Sequence, residues 1–291
     1  MATLRDIRRR IASVKNTQTI TKAVQMVSAA KFRRAQESIL KARPYAEKVK
    51  DLVLEMCTGM TAEDHPFFVS SGEKRHSGII IITSDKGLCG SFNNNLIFRV
   101  AKDSEKIKSS GAESVSLITV GKKGQDYFSK KDHEIKKKYV EERERTSYEV
   151  AKDIANETRR LFLSGELSEI YLYYTAFVSA VRHEITREKL LPVPTTGEAS
   201  EAEGAKDYIL EPDKKGILNS LLPKYLEVQI LKAILESQAS EHAARMTAMD
   251  TATSNCKELI DDLTLVYNKA RQATITKEIL DIVGGAEALK K

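Results

Sequence analysis

The residues best suited to chemistry lie in a glycine-rich turn, TSDKGLCG at Thr83–Gly90, which follows a short apolar run and precedes a helical pattern. Such a turn binds nucleotides when it has the spacing G-x-x-x-x-G-K-[ST] or G-x-G-x-x-G, because these glycines let the backbone approach a phosphate. Neither spacing occurs here. A second glycine-rich sequence, GKKG at Gly121–Gly124, lacks both the six-residue spacing and the Ser or Thr. We therefore interpret both sequences as structural tight turns, with a nucleotide site as the alternative.

The cysteines offer a second kind of chemistry. Cys89 lies beside glycines near an expected helix start, where the helix dipole lowers the pKa of a thiol and favours a nucleophile. No histidine is close to it in the sequence, so a buried structural thiol is the favoured interpretation. Cys57 and Cys256 are far from it, and this odd number and wide separation exclude a disulfide scaffold. We expect a soluble chain in a reducing, intracellular compartment.

Two histidine–glutamate pairs also lack what a metal or acid–base site needs. The pair His183-Glu184 has no second histidine to complete H-E-x-x-H, and no cysteine pair has metal-ligand spacing. Glu241 and His242 fall within a heptad pattern, where we expect His242 to be a polar position that fixes helix register. The sequence therefore predicts no catalytic residue, no metal site and no cofactor.

These candidate residues are framed by a long helix at each end of the chain. Residues 1–43 contain neither glycine nor proline, and helical spacing resumes after Pro44 as far as Cys57. The apolar stripe shifts around the helix partway along, which indicates partner contacts on several faces. Its positions are Leu4, Ile7, Ile11 and Val14, then Ile20, Val24 and Val27, then Phe32, Ala35, Ile39, Ala42, Ala46, Val49, Val53 and Met56.

The C-terminal helix is predicted from a run of 60 residues without glycine or proline, between Pro223 and Gly284. As one helix this run is roughly 90 Å long at 1.5 Å per residue. From Leu231 the spacing alternates 4-3 for about six heptads, which is typical of a coiled coil. The heptad positions are Leu231, Leu235, Gln238, His242, Arg245, Met249, Ala252, Cys256, Leu259, Leu263, Val266, Ala270 and Ala273. Beyond them, apolar residues from Ile275 to Leu289 keep helical spacing, which indicates either a partner surface or a frayed terminus.

A compact α/β domain is predicted between the helices, because an antiparallel pairing of the two chain ends needs a domain that joins their far ends. Apolar strands are expected at 78–82, 114–121 and 169–177, a helix at 148–163 and an edge strand at 183–193. The predicted fold class is thus mixed α+β and α/β: a long antiparallel coiled coil and a small Rossmann-like domain. The predicted boundaries are 1–59 for the first helix, 60–77 for a connector, 78–193 for the α/β domain, 194–216 for an acidic connector and 217–291 for the last helix.

The charge distribution is asymmetric. The chain has a net charge of +6, yet residues 1–50 hold 13 Lys and Arg against three acidic residues. A basic segment of this kind favours an acidic partner: nucleic acid, anionic lipid or an acidic protein surface. No apolar run approaches the roughly 18–20 residues of a membrane span. The first residues, MATLRDIRRR, also lack the apolar stretch of a signal peptide.

Four sequences carry a family resemblance that covers the chain in order: IASVKNTQTITKAVQMVSAAKFRRAQ, ITSDKGLCGSFN, SEHAARMTAMDTATSNC and LVYNKARQATITKEILDIVGGAEAL. They resemble the gamma subunits of bacterial F-type ATP synthases. The resemblance implies a central rotor shaft inside a ring of three alpha and three beta subunits. It also implies a foot domain beside the epsilon subunit and the ring of membrane c subunits, with no nucleic-acid partner.

The resemblance further implies which residues meet these partners. Arg271 and Gln272, in NKARQA, are similar to the pair that hydrogen-bonds to an acidic loop of one beta subunit. Arg245, in HAARM, resembles the residue that faces the acidic lever loop of beta, and Val24 stands beside that contact where the family often has Met. Tyr208 and Glu211, in YILEP, match residues that touch the polar loops of the c ring.

The implied function is to couple proton or sodium-ion flow through the c ring to ATP synthesis and hydrolysis at the beta subunits. The chain itself is expected to be a non-catalytic subunit. No transit peptide and no transmembrane segment are expected, so the implied location is peripheral, on the cytoplasmic face of a bacterial inner membrane. The competing hypothesis is a basic coiled-coil protein that binds nucleic acid, and a third is an enzyme that uses the Rossmann-like domain.

Overall fold

The computed structural model describes residues 3–57, 60, 64–69, 75–131, 133–140, 146–194 and 214–288. The helices are α1 (Leu4–Cys57), α2 (Phe92–Ser109), α3 (Lys122–Phe128), α4 (Ser147–Leu163) and α5 (Lys214–Ala288), with a short 3₁₀ helix at Pro66–Phe68. The strands are β1 (His76–Ile82), β2 (Ser114–Val120), β3 (Glu134–Tyr139), β4 (Glu169–Phe177) and β5 (His183–Leu191). The chain divides into two compact units: Met1–Ser28 with Arg245–Lys291, and Ala29–Ala244.

The larger unit is built on one five-stranded sheet in the order β3-β2-β1-β4-β5. Strands β1 to β4 are mutually parallel, and β5 runs antiparallel to β4 at one edge. Central strand β1 places Ile80 opposite both Ile118 of β2 and Leu172 of β4. The edge strand predicted at 183–193 is confirmed as β5.

Both faces of this sheet are covered, which explains why β1 reads as an unbroken apolar run. Ile79 and Ile81 pack on one face with residues of α2 and α3, and Ile80 and Ile82 pack on the other with α4 and parts of α1 and α5. Successive side chains of a strand point to opposite faces, so a strand buried on both sides is apolar at most positions. All four isoleucines are buried. The predicted mostly parallel sheet is therefore confirmed.

Strand β3 is absent from the strands that the sequence predicts. Its sequence, EIKKKY, contains three consecutive lysines and only two apolar residues. It pairs with β2 along one side and forms the other edge of the sheet. Edge strands often carry lysines because these charges oppose pairing with a further strand. The pattern that hid this strand is thus a consequence of its position.

The two long helices are confirmed, and they extend through residues that normally end a helix. Pro44 lies inside α1, and α5 starts at Lys214 and continues through Pro223 and Gly284. A proline removes one backbone hydrogen bond, but buried neighbours hold each site: Ala46 and Val49 follow Pro44, and Leu222 and Tyr225 flank Pro223. The last helix thus begins three residues before the expected start at 217.

Candidate partner-contact surfaces

The smaller unit consists of two antiparallel helix segments that are linked by side-chain hydrogen bonds. An Arg8 Nη2 donates to the Tyr267 hydroxyl at 2.6 Å, the Thr21 and Thr253 hydroxyls lie 2.8 Å apart, and Gln25 Nε2 donates to Asp250 Oδ1 at 2.7 Å. Residues nearer the N-terminus of α1 thus pair with residues nearer the C-terminus of α5. The predicted antiparallel pairing of the two chain ends is confirmed.

The heptad positions on α5 are partly wrong. Met249, Cys256, Leu263 and Ala270 are buried or half-buried as predicted, but Leu259 and Val266 are exposed. Their neighbours Ile260 and Tyr267 are half-buried instead. Buried positions at 259 and 266 and buried positions at 260 and 267 both give an average spacing of 3.5 residues, so the period alone does not distinguish them.

The end of α5 continues past the paired region. The register set by Arg8 and Tyr267 puts Leu4, the first residue of α1, opposite Arg271. Every residue from 271 to 286 is exposed, including the apolar side chains of Ile275, Ile279, Leu280, Ile282 and Val283. The helix persists over this span, which favours the partner surface over the frayed terminus. A row of exposed apolar side chains on a formed helix marks a contact surface.

The four residues predicted to meet a beta subunit all lie in this smaller unit, in different environments. Arg271 and Gln272 are adjacent and exposed, at the start of the unpaired end of α5. Arg245 is only 9% exposed. Val24 is half-buried, and its carbonyl accepts a hydrogen bond from Ser28 Oγ at 2.7 Å. Arg271 and Gln272 are thus available to a partner, whereas Arg245 and Val24 belong to the packed part of the unit.

Positive charge in this unit is concentrated on α1. Six basic side chains of the first 28 residues are exposed: Arg5, Arg8, Arg9, Arg10, Lys15 and Lys22. Asp6 is the acidic residue of this segment, and its hydrogen bonds from Thr3 lower its pKa, so it stays ionised. The α5 segment carries both signs of charge. The basic surface suits an acidic partner.

The glycine-rich turn is held by its own side chains. Asn93 accepts from the Ser84 N–H at 3.0 Å and directs its Nδ2 at Cys89 Sγ at 3.2 Å. Cys89 is buried. This supports the structural thiol rather than the nucleophile, because a reactive cysteine needs access and a positive neighbourhood.

The GKKG sequence also has a packing role. Gly121 has φ +92°, and a Cβ on it would lie 2.1 Å from the carbonyl oxygen of Thr83. Its N–H donates to the Tyr139 carbonyl at 2.7 Å, and the Thr83 hydroxyl accepts from the Gly124 N–H at 2.9 Å. The glycines allow the ends of β1 and β2 to touch. Both glycine-rich sequences thus have structural explanations.

The carboxyl end of β4 is occupied by the long helices. Glu236 of α5 accepts the Phe177 N–H at 2.6 Å, and Arg43 of α1 donates to the Phe177 carbonyl at 3.0 Å. Doubly wound sheets bind ligands outside the carboxyl ends of their strands, where the strand order reverses. Here the order reverses between β1 and β4, and the chain's own side chains fill the end of β4. Arg43 and Glu236 are 193 residues apart, and no sequence signal pointed to either.

The histidines form no metal cluster: among the described ranges, no three His, Cys, Asp or Glu side chains are grouped to hold an ion. Burial lowers the pKa of His183, whose Nδ1 is buried without a hydrogen-bond partner. His242 is half-buried within α5. Tyr208 and Glu211 lie outside the described residues. Within the described part of the chain, no helix is long and apolar enough to cross a bilayer.

The family described as ATP synthase matches residues 3–289. The chain is 45% identical to the ATP synthase gamma chain of Syntrophobacter fumaroxidans and 47% identical to that of Geotalea uraniireducens, over 100% of both chains in each case. It is also 44% identical to the gamma chain of Heliobacterium modesticaldum, over 99% of this chain and 100% of that one.

Solved structures show the same fold. The chain resembles one from the central stalk and c-ring of the Tetrahymena thermophila mitochondrial ATP synthase, with a TM-score of 0.59 and 24% identity over 80% of this chain and 99% of that one. It also resembles one from the rotor of the Euglena gracilis mitochondrial ATP synthase, with a TM-score of 0.65 and 18% identity over 94% and 98%. None of these relatives supports the hypothesis of a nucleic-acid-binding protein.

Proposed function

Because this chain belongs to the family of ATP synthase gamma chains, we propose that it acts as the non-catalytic rotor shaft of its complex. In this function it turns inside a ring of alternating alpha and beta subunits, with the epsilon subunit and the c ring at its foot. Ion flow through the c ring rotates it, and the rotation drives ATP synthesis. The chemistry of ATP belongs to the beta subunits.

One observation carries this proposal: α5 continues as a fully exposed helix from Arg271 to Ala286, with five large apolar side chains in water, beyond the point where α1 can pair with it. A protein that acted alone would leave this surface in water at a cost of about 25 cal/mol per Å² of apolar area. A shaft end seated in a ring of subunits is covered on all sides. The helix is exposed on every side over this span, as expected of a shaft end that a ring of partners encloses.

The beta-subunit contacts that we assign are Arg271, Gln272, Arg245 and Val24. The exposed guanidinium of Arg271 suits a bidentate, charge-assisted contact with carboxylates, and the Gln272 amide adds a donor beside it. Arg245 has little exposed surface, so a partner would reach only part of that side chain. The exposed basic residues of α1 extend this surface toward acidic loops of beta.

The foot contacts that we assign are Tyr208 and Glu211, toward the polar loops of the c ring. In the same assignment, 78–193 is the foot domain, 1–59 and 217–291 are the shaft helices, and 60–77 and 194–216 are connectors. The location that follows is peripheral, on the cytoplasmic face of a bacterial inner membrane. No part of this assignment requires the chain itself to enter the bilayer.

The mechanism follows from asymmetry. Two helices of unequal length cannot present the same side chains to three identical beta subunits at one time. Each beta subunit therefore has a different interaction energy with the shaft, and this difference shifts its equilibrium between open and closed states. Rotation exchanges these shifts among the three subunits. Since coupling between sites is reciprocal, nucleotide binding and release in turn favour particular angles of the shaft.

The non-catalytic assignment is supported by the carboxyl end of β4. Its backbone groups are bonded to Glu236, Ser237 and Arg43 of the long helices, at the end of the sheet where folds of this class otherwise bind nucleotides. This sheet therefore has a different task, which is to hold the helices.

The test is to co-express the chain with its own alpha and beta subunits and to weigh the product by native mass spectrometry. We expect one copy per three alpha and three beta subunits, and loss of ATPase activity when the chain is omitted. A chain that stays outside this complex and binds DNA in a salt-sensitive manner would instead support the nucleic-acid hypothesis.

A further inference from the structure

Strand β4 extends beyond its central neighbour. The last pair between β1 and β4 is Ile81 with Tyr173, whereas β4 continues to Phe177. In this extension the N–H of Thr175 donates to Ser237 Oγ at 3.3 Å, and the N–H of Phe177 donates to Glu236 Oε2 at 2.6 Å. Side chains of α5 thus take the hydrogen bonds that a longer β1 would have accepted.

Arg43, Glu236 and the backbone of Phe177 form a closed ring of hydrogen bonds. Arg43 Nη2 donates to the Phe177 carbonyl at 3.0 Å, while the Arg43 Nε and Nη2 atoms donate to Glu236 Oε1 at 3.1 and 2.9 Å. Glu236 holds the N–H of the same residue. The ion pair therefore binds both backbone groups of one residue, as a neighbouring strand does, and it joins α1, α5 and β4 at one point.

This ring lies in a buried environment. Glu236 is 3% exposed, and the Arg43 side chain is half-buried. The Phe177 ring packs against that of Phe32 of α1, with centroids 5.5 Å apart. Charge-assisted hydrogen bonds shielded from water are strong and directional.

A second, independent bridge joins α1 and α5 to the sheet at strand β5. Lys50 of α1 and Lys232 of α5 lie 3.9 and 3.7 Å from Glu188 Oε1. Gln229 Nε2 also donates to the Ala46 carbonyl at 3.1 Å, which ties α5 to α1 directly. Polar contacts therefore fix each long helix to the sheet and to the other helix.

We propose that Arg43 and Glu236 form a torsional clamp, which fixes the rotational position of α1 and α5 on the sheet and so carries torque between the foot and the shaft. This inference rests on the proposed rotor function. Apolar packing between the helices and the sheet is non-directional, whereas the hydrogen bonds of the ring at Phe177 are directional. The ring at Phe177 resists sliding, because a small rotation of either helix breaks several directional bonds. Arg43 is thus a positioning residue and touches no nucleotide.

The test measures the torsional stiffness of the shaft in the assembled complex. The alpha and beta subunits are fixed to a surface, rotation is arrested with nucleotide, and a bead is attached through a cysteine introduced by Lys108→Cys on α2, with Cys256→Ser to remove the partly exposed native thiol. The angular fluctuations of the bead report the stiffness. Arg43→Met, which keeps an apolar stem, is compared with Lys41→Met, which removes the exposed Lys41–Glu37 pair of the same helix.

We expect larger angular fluctuations for Arg43→Met than for Lys41→Met, with an intermediate value for Glu236→Gln, which keeps an acceptor for the Phe177 N–H. Equal stiffness in all three complexes, with rotation intact, would overturn the clamp and leave the rotor function standing. Failure of the wild-type complex to assemble or rotate would instead overturn the rotor function. If Arg43→Met does not assemble, Arg43→Lys decides: it keeps the charge but loses the fork, and unchanged stiffness there would refute the clamp.

Discussion

The hydroxyl oxygens of Thr21 and Thr253 lie 2.8 Å apart across the antiparallel helices of the smaller unit, 232 residues apart in the sequence. Each hydroxyl oxygen also lies within hydrogen-bond distance of a carbonyl of its own helix, at Gln18 and at Met249, and each has a single hydrogen to donate. One of the two hydroxyls therefore has a donor role toward its own helix and an acceptor role toward its partner. Such a pair fixes the register of the helices, because a shift by one residue would separate the hydroxyls.

This pair yields a first prediction. Replacing one threonine, by Thr21→Val or Thr253→Val, should lower the unfolding free energy of the full chain by about 1 kcal/mol, since one hydrogen bond is lost. The double variant should cost less than the sum of the single variants, because no unpaired hydroxyl remains. Urea unfolding of the four chains gives the coupling energy. Thr251→Val is the control, since that exposed hydroxyl bonds to Thr247 of its own helix; additive effects at 21 and 253 would contradict the prediction.

A second prediction concerns Arg271. Because this side chain is exposed, Arg271→Ala should change the stability of the chain itself by less than about 0.5 kcal/mol. In the complex it should remove a charge-assisted contact worth about 1.5–3 kcal/mol and thereby lower the ATPase turnover. Arg271→Lys should recover only part of the activity, since lysine lacks the planar fork. Lys277→Ala, on the same exposed helix end, serves as the control, and an equal loss there would remove the special role of Arg271.

A third prediction compares two glycines. Gly121→Ala should destabilise the chain strongly: the positive φ alone costs of order 1–3 kcal/mol, and the new Cβ would lie 2.1 Å from the Thr83 carbonyl oxygen. Gly284→Ala should instead stabilise α5 by about 0.5–1 kcal/mol, because this helical position has open space around it. The midpoints of thermal unfolding should therefore move in opposite directions. A neutral Gly121→Ala would show that the turn is not required.

A fourth prediction concerns pH. Burial is the main cause that lowers the pKa of His65, His133 and His183. Their neutral forms are favoured in the folded chain, so their contribution to stability is fully present above the unfolded value of about 6.5. It is lost as pH falls below that value, because the unfolded chain then binds more protons. The midpoint temperature of thermal unfolding should thus decrease as the pH is lowered from 7 to 5.

The variant for this test is His65→Asn, which keeps an acceptor for the Phe67 N–H that His65 Nδ1 now accepts at 3.0 Å. Between pH 8 and pH 5 this variant should lose less unfolding free energy than the wild type, because one of the groups that binds a proton on unfolding is gone. Asp103 does not contribute to the change in stability between pH 7 and pH 5. Burial raises the pKa of Asp103, but the Arg99 guanidinium, the Tyr173 hydroxyl and the Lys106 ammonium together lower it by more, so the net pKa is lowered and its contribution is lost only in more acidic solution. An unchanged slope in His65→Asn would exclude His65 as a source.

The sequence predicted most of the fold because its strongest patterns are local. Long stretches without glycine or proline predicted α1 and α5, and short segments rich in apolar residues predicted β1, β2 and β4. Strand β3 was missed because lysines at a sheet edge leave no apolar pattern. The heptad positions at Leu259 and Val266 were wrong because a neighbouring position satisfies the same period.

Some residues of the candidate site could be predicted from the sequence and others could not. Arg271 and Gln272 were named from a family motif, and their exposure agrees with a contact role. Arg43 and Glu236 escaped notice because their meeting depends on the packing of α1, β4 and α5. Contacts of that range are determined by the whole fold and leave no trace in a local window.

The sequence separation within the smaller unit has a consequence for biosynthesis. Arg8 can bond to Tyr267 only after a further 259 residues have been synthesised. A ribosome that adds about 5–20 residues per second needs roughly 10–50 s for this. All five strands emerge in the meantime, so the sheet can fold while the first helix is still unpartnered. The two chain ends therefore close last. The apolar stripe of the nascent first helix, at Ile7, Ile11 and Val14, is a natural substrate for a chaperone during that delay.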